Sequence, residues 1–504
     1  MAAGGTATEV ASSRNRSSEH SMSLDTIETF QNFIAGSWEA PAESMSAISP
    51  ATGGEIARVP KSDRACANRA VAAAKAAQAG WAALSVFDRA AMCVAIASKI
   101  DDARPQIART LSIEQGKPLA QANGEVAKAA DGFRLASELV KQMGGQTLPA
   151  EDPSKLVITL RQPRGVYAVI TPWNYPVNIP VEYLAPGIAT GNTIVWVPAP
   201  TTSMAAVELM RAIESAGLPK GVINLVIGEG PTVGDEIVAH PDVNGIGFTG
   251  SAATGQRIAE RGAGKPMLLE LGGNGPVLVF EDADLDRAAL AAANGAFSNA
   301  GQICAATGRV LAHRSVVEAL AARIAKHAQG YILGDPLHQG TTMGPLNNPK
   351  VAAKVAEHVG DAIAAGATVV TGGKARPDLG SAMFFEPTVL TGVTPTMRIN
   401  KEETFGPVVP IVAFDNDDEA MRLALDSDYG LCVGVFTENM SRALRFAETI
   451  PAGIVNINDG STYWEIHLPF GGGSGTKSGV GRLGGRLTLE AMTELKMITI
   501  TRSA

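Results

Sequence analysis

Beyond Val166 the chain alternates between two patterns. Short apolar, β-branched runs bounded by glycine or proline give way to longer segments with apolar residues at helical spacing. In the first series the strand-like runs are Val166–Thr171, Asn192–Val197, Val222–Val226 and Val243–Phe248, and Ser203–Ala216 is an intervening helix. The second series holds Pro276–Phe280, Val310–Ala312, Val369–Thr371, Val408–Phe414 and Val433–Phe436, with Asp284 placed to cap the helix after the first of them. Strand and helix in alternation predict a parallel sheet that binds ligands beyond the carboxyl ends of its strands. Two such series predict two α/β domains in line.

Before Val166 the pattern is different. Phe33–Trp38 reads as a short hairpin and Pro50–Gly54 as a turn. The segment from Arg64 to Leu84 is alanine-rich with helical spacing, and helix continues to about Val140, broken at Glu114-Gln115-Gly116-Lys117-Pro118. These helices could form a domain of their own, although no linker marks one. At the other end Glu494–Thr501 alternates as an edge strand does.

Composition narrows the class. A chain of 504 residues is too long for one core and predicts two or three domains. Hydrophobic residues at 45% and charged residues at 18% are the proportions of a globular protein. A formal net charge of −8 argues against nucleic-acid or anionic-membrane partners. No apolar run reaches the ~20 residues of a membrane span. The 4 cysteines (Cys66, Cys93, Cys304 and Cys432) are scattered without a CxxC pair, which predicts a reducing, cytoplasmic setting and no metal. The opening segment lacks the apolar centre of a secretory signal and is expected to be a polar, disordered leader over residues 1–24.

Two segments carry the chemistry. Phe297–Arg309 is small and low in charge and holds Cys304, a nucleophile that needs a lowered pKa or a nearby base. A lone cysteine is more often a buried structural residue. Met267-Leu268-Leu269-Glu270-Leu271 changes that balance by placing a carboxylate in an apolar strand, where burial raises its pKa toward that of a general base. A third motif is Thr171-Pro172-Trp173-Asn174-Tyr175-Pro176.

Together these motifs, and the spacing of Glu270 from Cys304, resemble the aldehyde dehydrogenase superfamily from about Phe33 to the C-terminus. The resemblance implies two Rossmann-like α/β domains plus a small β oligomerisation element. A cofactor-binding domain would cover 25–142 and 163–271, a catalytic domain 272–475, and oligomerisation strands 143–162 and 487–504. It implies Cys304 as nucleophile, Glu270 as base, and the Asn174 amide with the Cys304 backbone N–H as oxyanion hole. The cofactor would meet Thr171, Pro172, Trp173, Gly230, Phe248, Thr249, Gly250, Ser251, Leu271, Glu403 and Phe405. Read without the family, Gly228-Glu229-Gly230-Pro231 is only a tight turn and Glu402-Glu403 a solvated acidic pair. The aldehyde would meet Tyr175, Ile179, Glu182, Ile303, Ala305, Trp464 and Phe470.

Departures from the family pattern matter as much. Val197 stands where a lysine usually reaches the adenosine ribose, and Pro200 where an acidic residue does. A 2′-phosphate loses its cation while a 2′-hydroxyl loses one acceptor, so NAD is favoured over NADP. Tyr183 replaces a usual Lys or Arg, and Gly473–Gly479 forms a loop two residues longer than the common form.

The expected function is oxidation of an aldehyde with a hydrophobic or aromatic body to its carboxylate, by an NAD(P)-dependent homodimer or homotetramer. The alternatives are a semialdehyde dehydrogenase, or an impaired dinucleotide-binding relative with a structural role.

Overall fold

Valine- and isoleucine-rich runs become parallel strands where helices cover both faces of the sheet. Val166–Ile170, Thr193–Val197 and Ile223–Leu225 pair in parallel, and Val243–Thr249 and Met267–Glu270 extend the sheet on the other side of Val166–Ile170. The hairpin Asn32–Ile34/Ser37–Glu39 adds two antiparallel strands at one edge. Gly479–Val480 pairs antiparallel with Met267–Glu270 at the other, so the chain returns to this sheet after completing the second. The structure, a computed structural model, describes residues 27–502, and the leader expected over 1–24 lies outside them.

The early helices do not stand apart. Asp63 caps Arg64–Ala83, and Gly116, at φ 97°, ends Val86–Gln115 in the left-handed conformation that glycine adopts most readily. Val86–Gln115 packs on Leu119–Val140 and Ser203–Ser215, and all three bury side chains in the core of the first sheet. They are its outer layer.

The second sheet runs Thr368–Thr371, Thr388–Thr391, Val408–Phe414, Arg309–His313, Pro276–Val279, Cys432–Phe436 and Ile454–Ile457 in spatial order. Only its edge pair, Thr368–Thr371 with Thr388–Thr391, is antiparallel. Asp284 accepts hydrogen bonds from the Asp286 and Arg287 amides and caps Leu285–Phe297, as expected. A separate hydrophobic cluster fills this half. The fold is α/β with parallel sheets in two domains.

Thr493–Thr501 lies antiparallel to Lys155–Pro163, which pairs with Thr147–Leu148. The C-terminal strand covers the Glu494–Thr501 edge strand expected from the alternation, while the start of the 487–504 segment is helical. Gly485–Ala491 is helical because Leu489 is drawn into the first core and the Thr488 hydroxyl accepts from the Gly484 amide at 2.9 Å. Leu495, Met497 and Ile500 remain exposed on the edge strand. Among the described residues no single helix is long and apolar enough to cross a membrane.

Candidate active site

The helix Leu285–Phe297 ends in a sharp turn, with Asn299, Ala300 and Gly301 at φ 48°, 53° and 74°. Two non-glycine residues in this region cost of order 1–3 kcal/mol each and persist only where the surroundings over-determine them. Here they do. The Asn299 amide donates to Gln121 Oε1 at 3.1 Å, its Nδ2 to the Asn174 carbonyl at 3.1 Å, and Gln302 Nε2 to the Asn299 carbonyl at 2.9 Å. The turn delivers Cys304, partly exposed, over the end of Met267–Glu270. A Cβ on Gly273 would lie 2.2 Å from the Cys304 carbonyl, so a side chain there would push this loop away.

Asn174 reaches the same place from the first sheet. Its Nδ2 donates to the Gln302 carbonyl at 3.0 Å, which ties one N–H to the Cys304 loop and leaves the other for a ligand. Glu270 closes the group. Glu270 is 3% exposed, and its Oε1 has no hydrogen-bond partner in the protein. Burial pushes the Glu270 carboxyl well above the usual carboxylate range, and the Glu182 and Glu403 carboxylates push it further. Burial likewise raises the Cys304 thiol, and the Glu270 charge adds to the rise. The low-pKa route to a nucleophile is therefore not the one built here. The arrangement supplies the other, a buried carboxyl lining the same two cavities as the thiol.

Cys304 and Glu270 line two cavities at once. The first, about 200 Å³, is walled by Pro172, Trp173, Asn174, Thr249, Gly250, Ser251, Glu403 and Phe405, together with Gly272, Val351, Lys354 and Thr404. Phe405 sits at φ 58° with its ring edge-on to Trp173, centroids 5.5 Å apart. Glu403 Oε1 accepts from the Gly273 amide at 2.9 Å, and burial raises this carboxyl to about 6. A Cβ on Gly272 would come 2.8 Å from Glu403 Oε2.

A further cavity of about 220 Å³ holds Gly230 and Pro231 with Asp235, Thr254, Arg257 and Arg261. Both arginines pair with Asp235, at 3.3 Å and 3.1 Å. Ser251 caps the helix Ala252–Arg261 between these two hollows, and its first amides and dipole suit an anion. The chain thus offers a carboxylate beside the thiol, a helix start beyond it and a slot further on. That set fits an elongated dinucleotide with its phosphates at Gly250-Ser251.

The structure does not bring every expected cofactor residue to a cavity wall. Thr171 is buried with its hydroxyl accepting from Trp196 Nε1 at 2.9 Å. Phe248 is buried under Gly250, and Leu271 packs against Gly255. Each sits behind the wall rather than on it.

The second cavity at Cys304 is larger, about 350 Å³, and is lined by Tyr175, Ile179, Glu182, Ile303, Ala305, Trp464 and Phe470. Sequence reasoning missed Gln121, Gly124, Glu125, Lys128, Asn178, Ser298 and Thr462 on the same wall. Glu182 is a cavity group, accepting from Asn178 Nδ2 at 2.9 Å. Burial raises its carboxyl to about 8, against the opposing pull of that hydrogen bond and of Lys128.

The departures also have places. Tyr183 is fully buried, donating to the Phe248 carbonyl at 3.1 Å and sharing a 2.8 Å hydrogen bond with Thr249. It braces the strand below Gly250 and brings no charge to the thiol. Val197 is buried at its strand end, and Pro200 opens a single 3₁₀ turn. Among the described residues no group of three or more His, Cys, Asp or Glu is placed to hold a metal ion.

Residues 38–498 match the model of the aldehyde dehydrogenase family. The chain is 38% identical to the glutarate-semialdehyde dehydrogenase of Pseudomonas putida, over 94% of this chain and 98% of that protein. It is 37% identical to the NADP(+) succinate-semialdehyde dehydrogenase of Escherichia coli, over 93% and 97%. Among solved structures it resembles the betaine aldehyde dehydrogenase of Staphylococcus aureus in complex with NAD+, at TM-score 0.90 and 33% identity, over 94% of this chain and 95% of that one.

Proposed function

Because the chain belongs to the aldehyde dehydrogenase family, we propose that it oxidises an aldehyde to its carboxylate on Cys304, with Glu270 as base and Asn174 in the oxyanion hole. The observation that supports this best is that Cys304 and Glu270 stand where two cavities meet. One cavity suits the reactive end of a dinucleotide and the other an aldehyde. Each reaches the same sulfur.

Glu270 takes the thiol proton, and the Cys304 sulfur attacks the carbonyl carbon to form a thiohemiacetal. The negative oxygen receives hydrogen bonds from the free Asn174 N–H and the Cys304 amide, each such donor being worth roughly 10²–10³ in rate. A nicotinamide held in the neighbouring cavity would accept the hydride that leaves this carbon, and a thioester stays on Cys304. Glu270, having released its first proton, then draws one from water. The resulting hydroxide attacks the thioester carbon, the C–S bond breaks, and the carboxylate departs from a restored thiol. Glu403 would accept from the ribose hydroxyls of the cofactor, and Phe405 packs against Trp173 to shape that end of the groove.

The cofactor is NAD in this proposal. Val197 and Pro200 offer no ammonium to a 2′-phosphate, and Arg257 and Arg261 are already engaged by Asp235. The protein assembles as a homodimer or homotetramer through Thr493–Thr501, whose exposed apolar side chains invite a partner. All four cysteines are free thiols, in keeping with the cytoplasm.

The apolar and aromatic share of the aldehyde cavity favours a hydrophobic or aromatic substrate body. A semialdehyde is the second reading, favoured by the names of the relatives and by Lys128 on the cavity wall. A spectrophotometric screen of NAD and NADP against benzaldehyde, succinate semialdehyde and neutral aliphatic aldehydes separates the two. Reduction of neither nucleotide with any aldehyde, despite measurable nucleotide binding, would instead favour the structural relative.

A further inference from the structure

Lys117 and Glu125 are buried, with their side chains 1% exposed, and joined Nζ to Oε2 at 2.5 Å. Neither touches Cys304 or Glu270 in the mechanism above. Together, though, they hold both ends of the short segment that carries Asn174. Lys117 Nζ donates to the Asn174 carbonyl at 2.8 Å and lies 3.9 Å from the centre of the Tyr175 ring. Glu125 Oε1 accepts from the Val177 amide at 2.9 Å and the Asn178 amide at 3.2 Å. The helix Asn178–Ala189 that follows has no side-chain cap of its own, so Glu125 supplies one from another helix.

The demand for such a clamp is visible in the loop itself. The Asn174 carbonyl also accepts from Asn299 Nδ2, and Asn174 Nδ2 donates to the Gln302 carbonyl. The strained turn before Cys304 is thus tied to Asn174 by two hydrogen bonds. Any rotation of the 174 peptide would move the amide in the oxyanion hole and loosen the turn together. An ion pair within the low-dielectric interior resists that rotation more strongly than neutral donors would.

We propose that Lys117 and Glu125 are positioning residues for the oxyanion hole, acting through the Asn174 peptide. This rests on the reading of the chain as an aldehyde-oxidising enzyme. A merely structural pair would stabilise the fold without regard to Asn174. A positioning pair loses its effect on rate once the Asn174 side chain is gone.

A double-mutant cycle separates these roles. Lys117→Met combined with Glu125→Gln removes both charges, so no unpaired ion is left buried. In the otherwise native enzyme this pair of changes is expected to lower kcat about 10²-fold while leaving the NAD dissociation constant within about 2-fold. In an Asn174→Ala background the same changes are expected to cost less than about 3-fold more. Losses that multiply across the two backgrounds, or a kcat unchanged in the native background, would overturn the proposal. If the combined variant does not fold, Glu125→Gln alone reads the same cycle. It still accepts from both amides while removing the charge that faces Lys117. An inert native enzyme would sink the reading of the activity itself. An active enzyme whose losses multiply would sink only the clamp.

Discussion

The two cavities that meet at Cys304 are built in different ways. The dinucleotide side depends on backbone at several points: Gly250 and Ser251 at a helix start, Gly272 where a side chain would collide with Glu403, and Phe405 held at φ 58°. The aldehyde side is made of side chains from five separate stretches of chain, including Gln121, Lys128, Trp464 and Phe470. A wall of backbone must present much the same surface to every partner. A wall of side chains changes with each substitution, so it is where this enzyme's selectivity would reside. Cys304 and Glu270 belong to both.

The largest expected effect falls on that shared point. Cys304→Ala should lower turnover by roughly 10⁴-fold or more, because no other thiol lines either cavity. Nucleotide binding, followed by fluorescence titration, should be almost unaffected. Loss of both together would mean the residue supports the groove rather than the chemistry.

Glu270→Gln comes next, with a fall in kcat of about 10²–10⁴. The base works only when ionised, and burial raises its pKa well above the usual carboxylate range. The rate should therefore climb with pH along a limb whose midpoint lies far above that of an exposed glutamate. A residual Glu270→Gln rate that kept the same limb would assign the titration elsewhere.

On the dinucleotide side, burial pushes the Glu403 carboxyl up to about 6. Above that pH the carboxylate can accept two ribose hydrogen bonds, and below it one oxygen carries a proton. Nucleotide affinity should fall several-fold as pH drops through 6, and Glu403→Gln should flatten the dependence. Titrations of the native enzyme and this variant at pH 5 and 7.5 would decide it.

The smallest change is expected from Glu182→Gln. It should leave oxidation of a neutral aldehyde within about 2-fold while shifting the ratio of kcat/KM between carboxylated and neutral aldehydes by about 3-fold above pH 8, where this carboxyl is ionised. An unchanged ratio would take Glu182 out of substrate discrimination and narrow the contrast between the two walls.

The same contrast explains what could be read from the chain. The strand–helix rhythm announced both sheets, and the motifs around Asn174, Glu270, Cys304 and Glu403 fell on the cavity walls because glycines and turns leave marks at fixed offsets. Thr171, Phe248 and Leu271 lie within such motifs yet face inward, since a motif records position along the backbone and not the direction of a side chain. Gln121, Glu125 and Lys128 escaped notice for another reason. On a helix their spacing is that of any surface face, and only the packing of Leu119–Val140 on Asn178–Ala189 brings them to the site. Lys117 was visible as the residue after a helix-ending glycine, but its burial against Glu125 was not. The edge strand at Glu494–Thr501 was legible from its alternation, whereas the helix Gly485–Ala491 that overlaps the start of the 487–504 segment was not.

The central claim is that an acyl group rests on Cys304 between the two cavities. Glu270→Gln enzyme, mixed with NAD and an aldehyde it accepts, quenched in acid and mapped by peptide mass, tests this directly. The account predicts an added acyl mass on the peptide containing Cys304, appearing with one equivalent of reduced nucleotide. Reduced nucleotide formed with no adduct, or an adduct on Cys66, Cys93 or Cys432 instead, would contradict it.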